Sequence, residues 1–153
     1  MKIGVILPCY NEATHMNVAA FLYFLKHHSK FYLCFVNNGS TDTTLSILEA
    51  VKNSAPYKVS ILDIKKEKSK VVVIRAGIRY LNSRVDVAAI QVVDIDFSMK
   101  YPELKSVFFN ILEDNVGKKY PKTYGLSLLE KRILGKKGMN LFLLMAVIKS
   151  MYI

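Results

Sequence analysis

Little in this sequence favours disorder. Seven glycines and four prolines in 153 residues, against 52% hydrophobic residues, describe a chain that folds around a core. That length suits one domain and leaves too little for two. The two cysteines, Cys9 and Cys34, lie inside apolar runs with neither metal-ligand nor C-x-x-C spacing, so they read as buried free thiols in a reducing compartment. The first apolar run, residues 3–7, is too short for a signal peptide and far below the roughly twenty residues of a membrane span. No internal repeat and no low-complexity tract is present. Acidic residues are scarce, 12 against 22 Lys and Arg, and the resulting net charge of +10 favours an anionic partner. Nucleotide phosphates, nucleic acid and an anionic membrane surface all qualify on charge alone.

What is there is an alternation of apolar runs and helical patterns. Residues 3–7 read as a buried strand closed by Pro8, and Val18, Phe21, Leu22 and Leu25 fall at helical spacing. Residues 31–36 form a second strand ending in the turn-forming Asn37, Asn38, Gly39 and Ser40. Ser40 or Thr41 can cap a helix with Leu45, Leu48 and Val51 on one face. A third strand, residues 59–64, precedes a basic loop over residues 65–70. The β-branched run 71–74 has strand propensity, yet a helix over 71–81 completes a β-α-β unit with the strand 87–93, and the helix is the expectation. Continuous hydrophobicity over 87–93 predicts a strand covered on both faces, in the middle of a parallel sheet. Pro102 and Glu103 start a helix through Leu104, Val107, Phe108, Ile111 and Leu112. Beyond it lie a weak strand pattern over 124–129, a basic cluster over 131–137 and an apolar segment over 139–153. That last segment fits a core helix, a surface-lying helix, or an end whose packing partner lies elsewhere.

A parallel sheet gathers polar clusters at the carboxyl ends of its strands, where ligands bind in such folds. After the first strand come Pro8, Tyr10, Asn11 and Glu12. Glu12 can accept from a ribose hydroxyl or a base N–H and Tyr10 can stack, while Asn11 and Glu12 can equally cap the following helix. After the second come Asn37 and Asn38, a left-handed turn at Gly39 that exposes backbone N–H groups and the Asn38 amide toward a base or ribose, and Asp42, which can cap or favour the next helix N-terminus. After the fourth come Asp94 and Asp96. Residues two apart on an extended strand share a face, so the pair can approach one hard cation such as Mg2+ or Mn2+. Lys70 and Arg75 are candidate partners for a diphosphate, and Lys65, Lys66 and Lys68 read as a solvated face.

The stretches GVILPCYNEA (4–13), FVNNGSTDTT (35–44), KSKVVVIRAGI (68–78) and DIDFS (94–98), in that order, resemble the successive motifs of the family 2 nucleotide-sugar glycosyltransferases. The resemblance covers about the first hundred and five residues. It implies an α/β fold, the Rossmann-like nucleotide-binding portion of a GT-A domain, with a mostly parallel sheet, helices on both faces, and an incomplete domain. Residues 1–112 would be the nucleotide-sugar-binding core and 113–153 a basic and hydrophobic continuation of it. The implied activity is transfer of a sugar from a uridine or guanosine diphosphate sugar to a saccharide or lipid-linked hydroxyl, in polysaccharide, glycolipid or cell-envelope synthesis. By matching position, Pro8, Tyr10 and Glu12 would surround base and ribose, and Asn38 stands where many members carry an Asp that reads the base. Lys70 matches the motif lysine, Asp94 would meet the ribose or metal side, and Asp96 would be the principal contact to Mn2+ or Mg2+.

Two departures bear on this. Asn38 lacks the charge of the commoner Asp, and Ser69 and Val71 replace the usual small neighbours of the lysine. No residue matches the family's acidic catalytic base, since Glu113, Asp114 and Glu130 come too early or in other surroundings. A noncatalytic nucleotide-binding remnant is therefore the alternative reading, and a basic membrane or nucleic-acid binder a third, without a recognisable nucleic-acid motif. No nucleic-acid partner is expected. The expected location is the cytoplasm, with peripheral association at the inner face of the membrane left open.

Overall fold

The computed structural model describes residues 2–113. The expected strand 124–129, basic cluster 131–137 and apolar segment 139–153 lie outside the described residues. Eight elements alternate strictly: β1 (Lys2–Cys9), α1 (Val18–His27), β2 (Phe31–Asn38), α2 (Thr44–Ser54), β3 (Val59–Ile64), α3 (Lys70–Asn82), β4 (Val87–Val92) and α4 (Tyr101–Glu113). The strands form one parallel sheet in the order β3-β2-β1-β4.

Alternate residues of the central strands feed two separate cores. Val5, Leu7 and Cys9 of β1 and Phe31, Leu33 and Phe35 of β2 face α1, α2 and α4. Ile6, Tyr32, Cys34 and Val36 face α3 on the other side. Phe108 of α4 lies stacked on Phe24 of α1 with ring centroids 4.4 Å apart, and both are fully buried. Each such phenylalanine contributes about 1.5–3 kcal/mol by leaving water. The strand-like run 71–74 is helical because Val73, Ile74, Gly77, Ile78 and Leu81 make one buried stripe, and that packing outweighs local β propensity. Gly77 lets α3 lie close on β1, since a Cβ there would sit 2.8 Å from Ile6 Cγ2.

The expected middle position of β4 depends on residues outside those described. Among the described residues β4 pairs only with β1, so β1 and β2 hold the middle and β4 an edge. Continuous apolarity reports two covered faces, and says nothing of two neighbouring strands. Val87 and Ile90 pack beside α3 while Val93 packs in the opposite core. Caps differ from expectation. Neither Ser40 nor Thr41 caps α2, which starts at Thr44 with its N–H donated to Asp42 Oδ1 at 2.9 Å. The cap of α1 is Asn17, whose Oδ1 accepts from the Ala20 N–H, so Asn11 and Glu12 are free of that duty. At α4, Glu103 accepts from the Lys100 N–H at 2.8 Å, one half of a capping box. Among the described residues no helix is long and apolar enough to cross a membrane.

Candidate functional site

The site grows from the place where β1 and β4 part. Their pairing ends at Ile6 and Val92, with a last bond from Val93 N–H to the Ile6 carbonyl at 3.0 Å, whereas β1 continues beside β2 as far as Cys9. Pro8 has the same parity as Ile6, so its missing N–H faces the side that β4 has just left. A proline inside a central strand therefore costs no ladder bond there. The connection leaving β1 crosses one face by α1, and the connection reaching β4 crosses the other by α3. This is the switch point of a doubly wound sheet, where a crevice opens at the strand ends.

The loops around it are tied together. Asn11, with φ of +50°, donates its N–H to Ser40 Oγ at 3.0 Å and accepts from the Thr41 N–H at 2.8 Å. The Glu12 and Ala13 N–H groups go to Thr44 Oγ1 and Asp42 Oδ2. The Thr44 hydroxyl, which also donates to Asp42 Oδ1, is the main cause that holds the Asp42 carboxyl below the usual range, with the Thr44 and Ala13 N–H groups assisting. Tyr10 is 42% exposed at the β1 end. His15 faces Glu12, Nδ1 to Oε2 3.4 Å.

On the β2 side, Asn38 Nδ2 donates to the Lys68 carbonyl at 3.0 Å and its Oδ1 accepts from the Lys68 N–H at 2.9 Å. Gly39 follows with φ of +70°. The buried Asn37 donates to Asp63 at 2.8 Å, and Lys65 pairs with the same carboxylate. Lys65, Lys66 and Lys68 are exposed, as the reading of a solvated face expects, and Lys70 is the first residue of α3 rather than the last of the loop. Lys70 Nζ meets Asp94 Oδ2 at 2.7 Å. Arg75 lies partly buried on the same helix and takes no part in that ion pair.

The two acids do not continue the strand. β4 stops at Val92, so Asp94 and Asp96 stand on a loop and are held by different partners. Asp94 is held by Lys70, and Asp96 Oδ1 accepts from the Ser98 N–H at 2.9 Å and the Ser98 hydroxyl at 2.7 Å. Those two bonds, the hydroxyl first, lower the Asp96 carboxyl. Phe97, 2% exposed, anchors the loop against Phe21 and Phe35 while its carbonyl accepts from the Asn17 N–H at 2.8 Å. Among the described residues no three or more His, Cys, Asp or Glu side chains converge as a metal cage. Two carboxylates still suit a hard cation that takes its other oxygens from phosphate and water.

Ser98, Phe97, Asn17 and Thr44 were not singled out in the sequence as candidates. A serine two places after an aspartate is a turn signal that points to Ser98. The others serve through contacts distant in sequence.

An open parallel α/β sheet with polar loops at a switch-point crevice defines a nucleotide-binding class of fold. A model of glycosyl transferase family 2 matches residues 4–125, and the chain belongs to that family. No curated protein matches the chain. Among solved structures it is similar to S. aureus TarS 1–349, at 24% identity and TM-score 0.50 over 74% of this chain and 33% of that one. The structure of the same protein in complex with UDP gives 24% identity and TM-score 0.50 over 74% and 32%. A smaller overlap, 21% identity and TM-score 0.44 over 52% and 24%, is found with the mannosyltransferase PcManGT from Pyrobaculum calidifontis in complex with GDP-Man and Mn2+. At these identities the likeness to TarS shows the fold, and the chain spans about a third of that structure's length.

Proposed function

We propose that this chain is the donor-binding part of a glycosyltransferase that takes a nucleoside diphosphate sugar and passes its sugar to a hydroxyl acceptor. The observation that carries the reading is the switch-point crevice, flanked on one side by Pro8, Tyr10 and Glu12 and on the other by Asp94 and Asp96. Tyr10 offers a ring to the base and Glu12 a carboxylate to ribose hydroxyls. Lys70 has one of its three N–H donors on Asp94 and two to spend on a diphosphate. Asp96 has its Oδ1 fixed by Ser98 and offers Oδ2 to a divalent cation. Such a cation, Mg2+ or Mn2+, would neutralise charge on a leaving diphosphate. Asp94 would then share its charge between Lys70 and the cation.

TarS is described in complex with UDP, which makes UDP the first probe. Calorimetry of the intact chain with UDP, with and without Mn2+, should show metal-strengthened binding that Asp96→Ala weakens at least about tenfold, the loss of one charge contact. Absence of UDP binding, or metal-strengthened binding untouched by Asp96→Ala, refutes the assignment. Product formation across a panel of nucleotide sugars and acceptors separates transfer from binding alone.

A further inference from the structure

The family resemblance sets Asn38 against the nucleotide base, and one N–H and one lone pair of its amide are committed to Lys68. The Lys68 N–H can only donate and the Lys68 carbonyl can only accept, so these partners fix which end of the amide is which. Next to it, Gly39 brings the β2 turn into backbone contact with the same loop. A Cβ at Gly39 would lie 2.4 Å from the Glu67 nitrogen and 2.8 Å from the Lys66 carbonyl carbon. Two residues beyond Lys68, the Lys70 ammonium closes on Asp94 at 2.7 Å. A continuous set of contacts therefore runs from the end of β2, through the β3–α3 loop, to one of the two acids after β4.

We propose that Asn38 is a positioning residue that acts on the diphosphate through the Lys68 to Lys70 segment. The inference deepens the donor-binding reading and rests on it. A carboxylate can accept from the Lys68 N–H, but it has no donor for the Lys68 carbonyl and would set a negative charge against that oxygen. Only the amide satisfies both backbone groups.

The two roles predict different selectivity. A base-reading residue changes the ratio of affinities between nucleotides that differ in the base. A latch on the lysine segment changes affinity for every diphosphate by one factor. The test is calorimetry of the intact chain with UDP and with GDP, each with Mn2+, for the unsubstituted protein, Asn38→Asp and Asp96→Ala. With Asn38→Asp we expect both affinities to fall by the same factor, about tenfold for one lost hydrogen bond and an added repulsion. The UDP to GDP ratio should stay within about twofold. Amide hydrogen exchange at Lys68 should speed up in the same variant, a readout independent of any ligand. A changed ratio, unchanged affinities, or unchanged exchange at Lys68 overturns the proposal while leaving the donor site in place, provided Asp96→Ala still weakens binding. If Asp96→Ala has no effect, or no nucleotide binds, the donor-site reading falls and this inference falls with it.

Discussion

The sharpest stability prediction concerns Gly39, because two independent penalties meet there. Its φ of +70° lies in the left-handed region, which costs a residue with a Cβ roughly 1–2 kcal/mol. The added methyl would also collide with backbone, 2.4 Å from Glu67 N and 2.8 Å from Lys66 C, where no side chain can rotate away. Relief requires the turn and the β3–α3 loop to separate, which breaks the Asn38 bonds to Lys68. Those are exposed, so together they add about 1 kcal/mol. Against this, alanine stiffens the unfolded chain and returns about 0.4–1 kcal/mol. The net expectation for Gly39→Ala is a loss of about 2 kcal/mol, a large part of a typical stability of about 5–15. In urea at 25 °C this moves the midpoint down by about 1 M with an unchanged slope. Asn38→Ala, which loses the bonds without the collision, should cost less than half as much. Gly39→Asn is the decisive comparison. Asparagine tolerates a positive φ but carries the same Cβ, so it should be nearly as damaging as alanine. A well-tolerated Gly39→Asn would refute the collision, and a midpoint shift below about 0.3 M for Gly39→Ala would refute both parts.

Burial pushes both cysteine thiols up, Cys34 to about 11. At pH 8 the Cys34 thiolate fraction is then about 0.1%, against roughly a quarter for an ordinary thiol. Iodoacetamide should leave Cys9 and Cys34 unlabelled in the native protein and label both in guanidinium, and labelling of the native protein would contradict their placement. At the opposite edge of the sheet, Asp86 is held below the usual carboxylate range by Arg84, with Lys2 assisting. Because its folded pKa is depressed, its contribution is present above the unfolded value of about 3.9 and is lost as pH falls through the folded one. Urea midpoints at pH 7, 4 and 3 should therefore fall less steeply with acid in Asp86→Asn than in the unsubstituted protein. Equal slopes would show that the Arg84 pair does not contribute.

The sequence exposes features that depend on local pattern and hides those that depend on pairing. The helix over 71–81 is legible because its apolar stripe can be counted along the chain, even though Val71, Val72 and Val73 favour a strand. The place of β4 is not legible, because its apolar run reports helices above and below it and is silent on its neighbours. The first strand reads short in the sequence for a related reason. Pro8 looks like a stop, yet β1 runs to Cys9 because the partner that would have needed its N–H has already left. The candidate site divides in the same way. Motif order places Glu12, Asn38, Lys70, Asp94 and Asp96 at one edge, and that edge is where the structure puts them. It does not tell that Asn38 is engaged by Lys68 thirty residues on, or that the two acids belong to separate contacts once the strand ends at Val92.

The crevice creates a structural problem that these contacts address. Where β1 and β4 diverge, no ladder bonds remain to fix the spacing of the loops, and free loops would have to be ordered by the ligand at a cost in affinity. Here the spacing is fixed by other bonds. Asn11 and Glu12 are tied to the β2 turn, Asn38 to the β3–α3 loop, Lys70 to the β4 loop, and Asn17 to Phe97. Each bond joins loops that the sheet no longer joins. A ligand entering the crevice thus meets loops already held in place, and its binding energy need not be spent on ordering them. Lys70 is the exception, since its two free N–H groups must exchange water for any diphosphate it binds while the third stays on Asp94. That pair is 55% and 62% exposed, so the exchange is of the inexpensive kind, between solvent-screened charges.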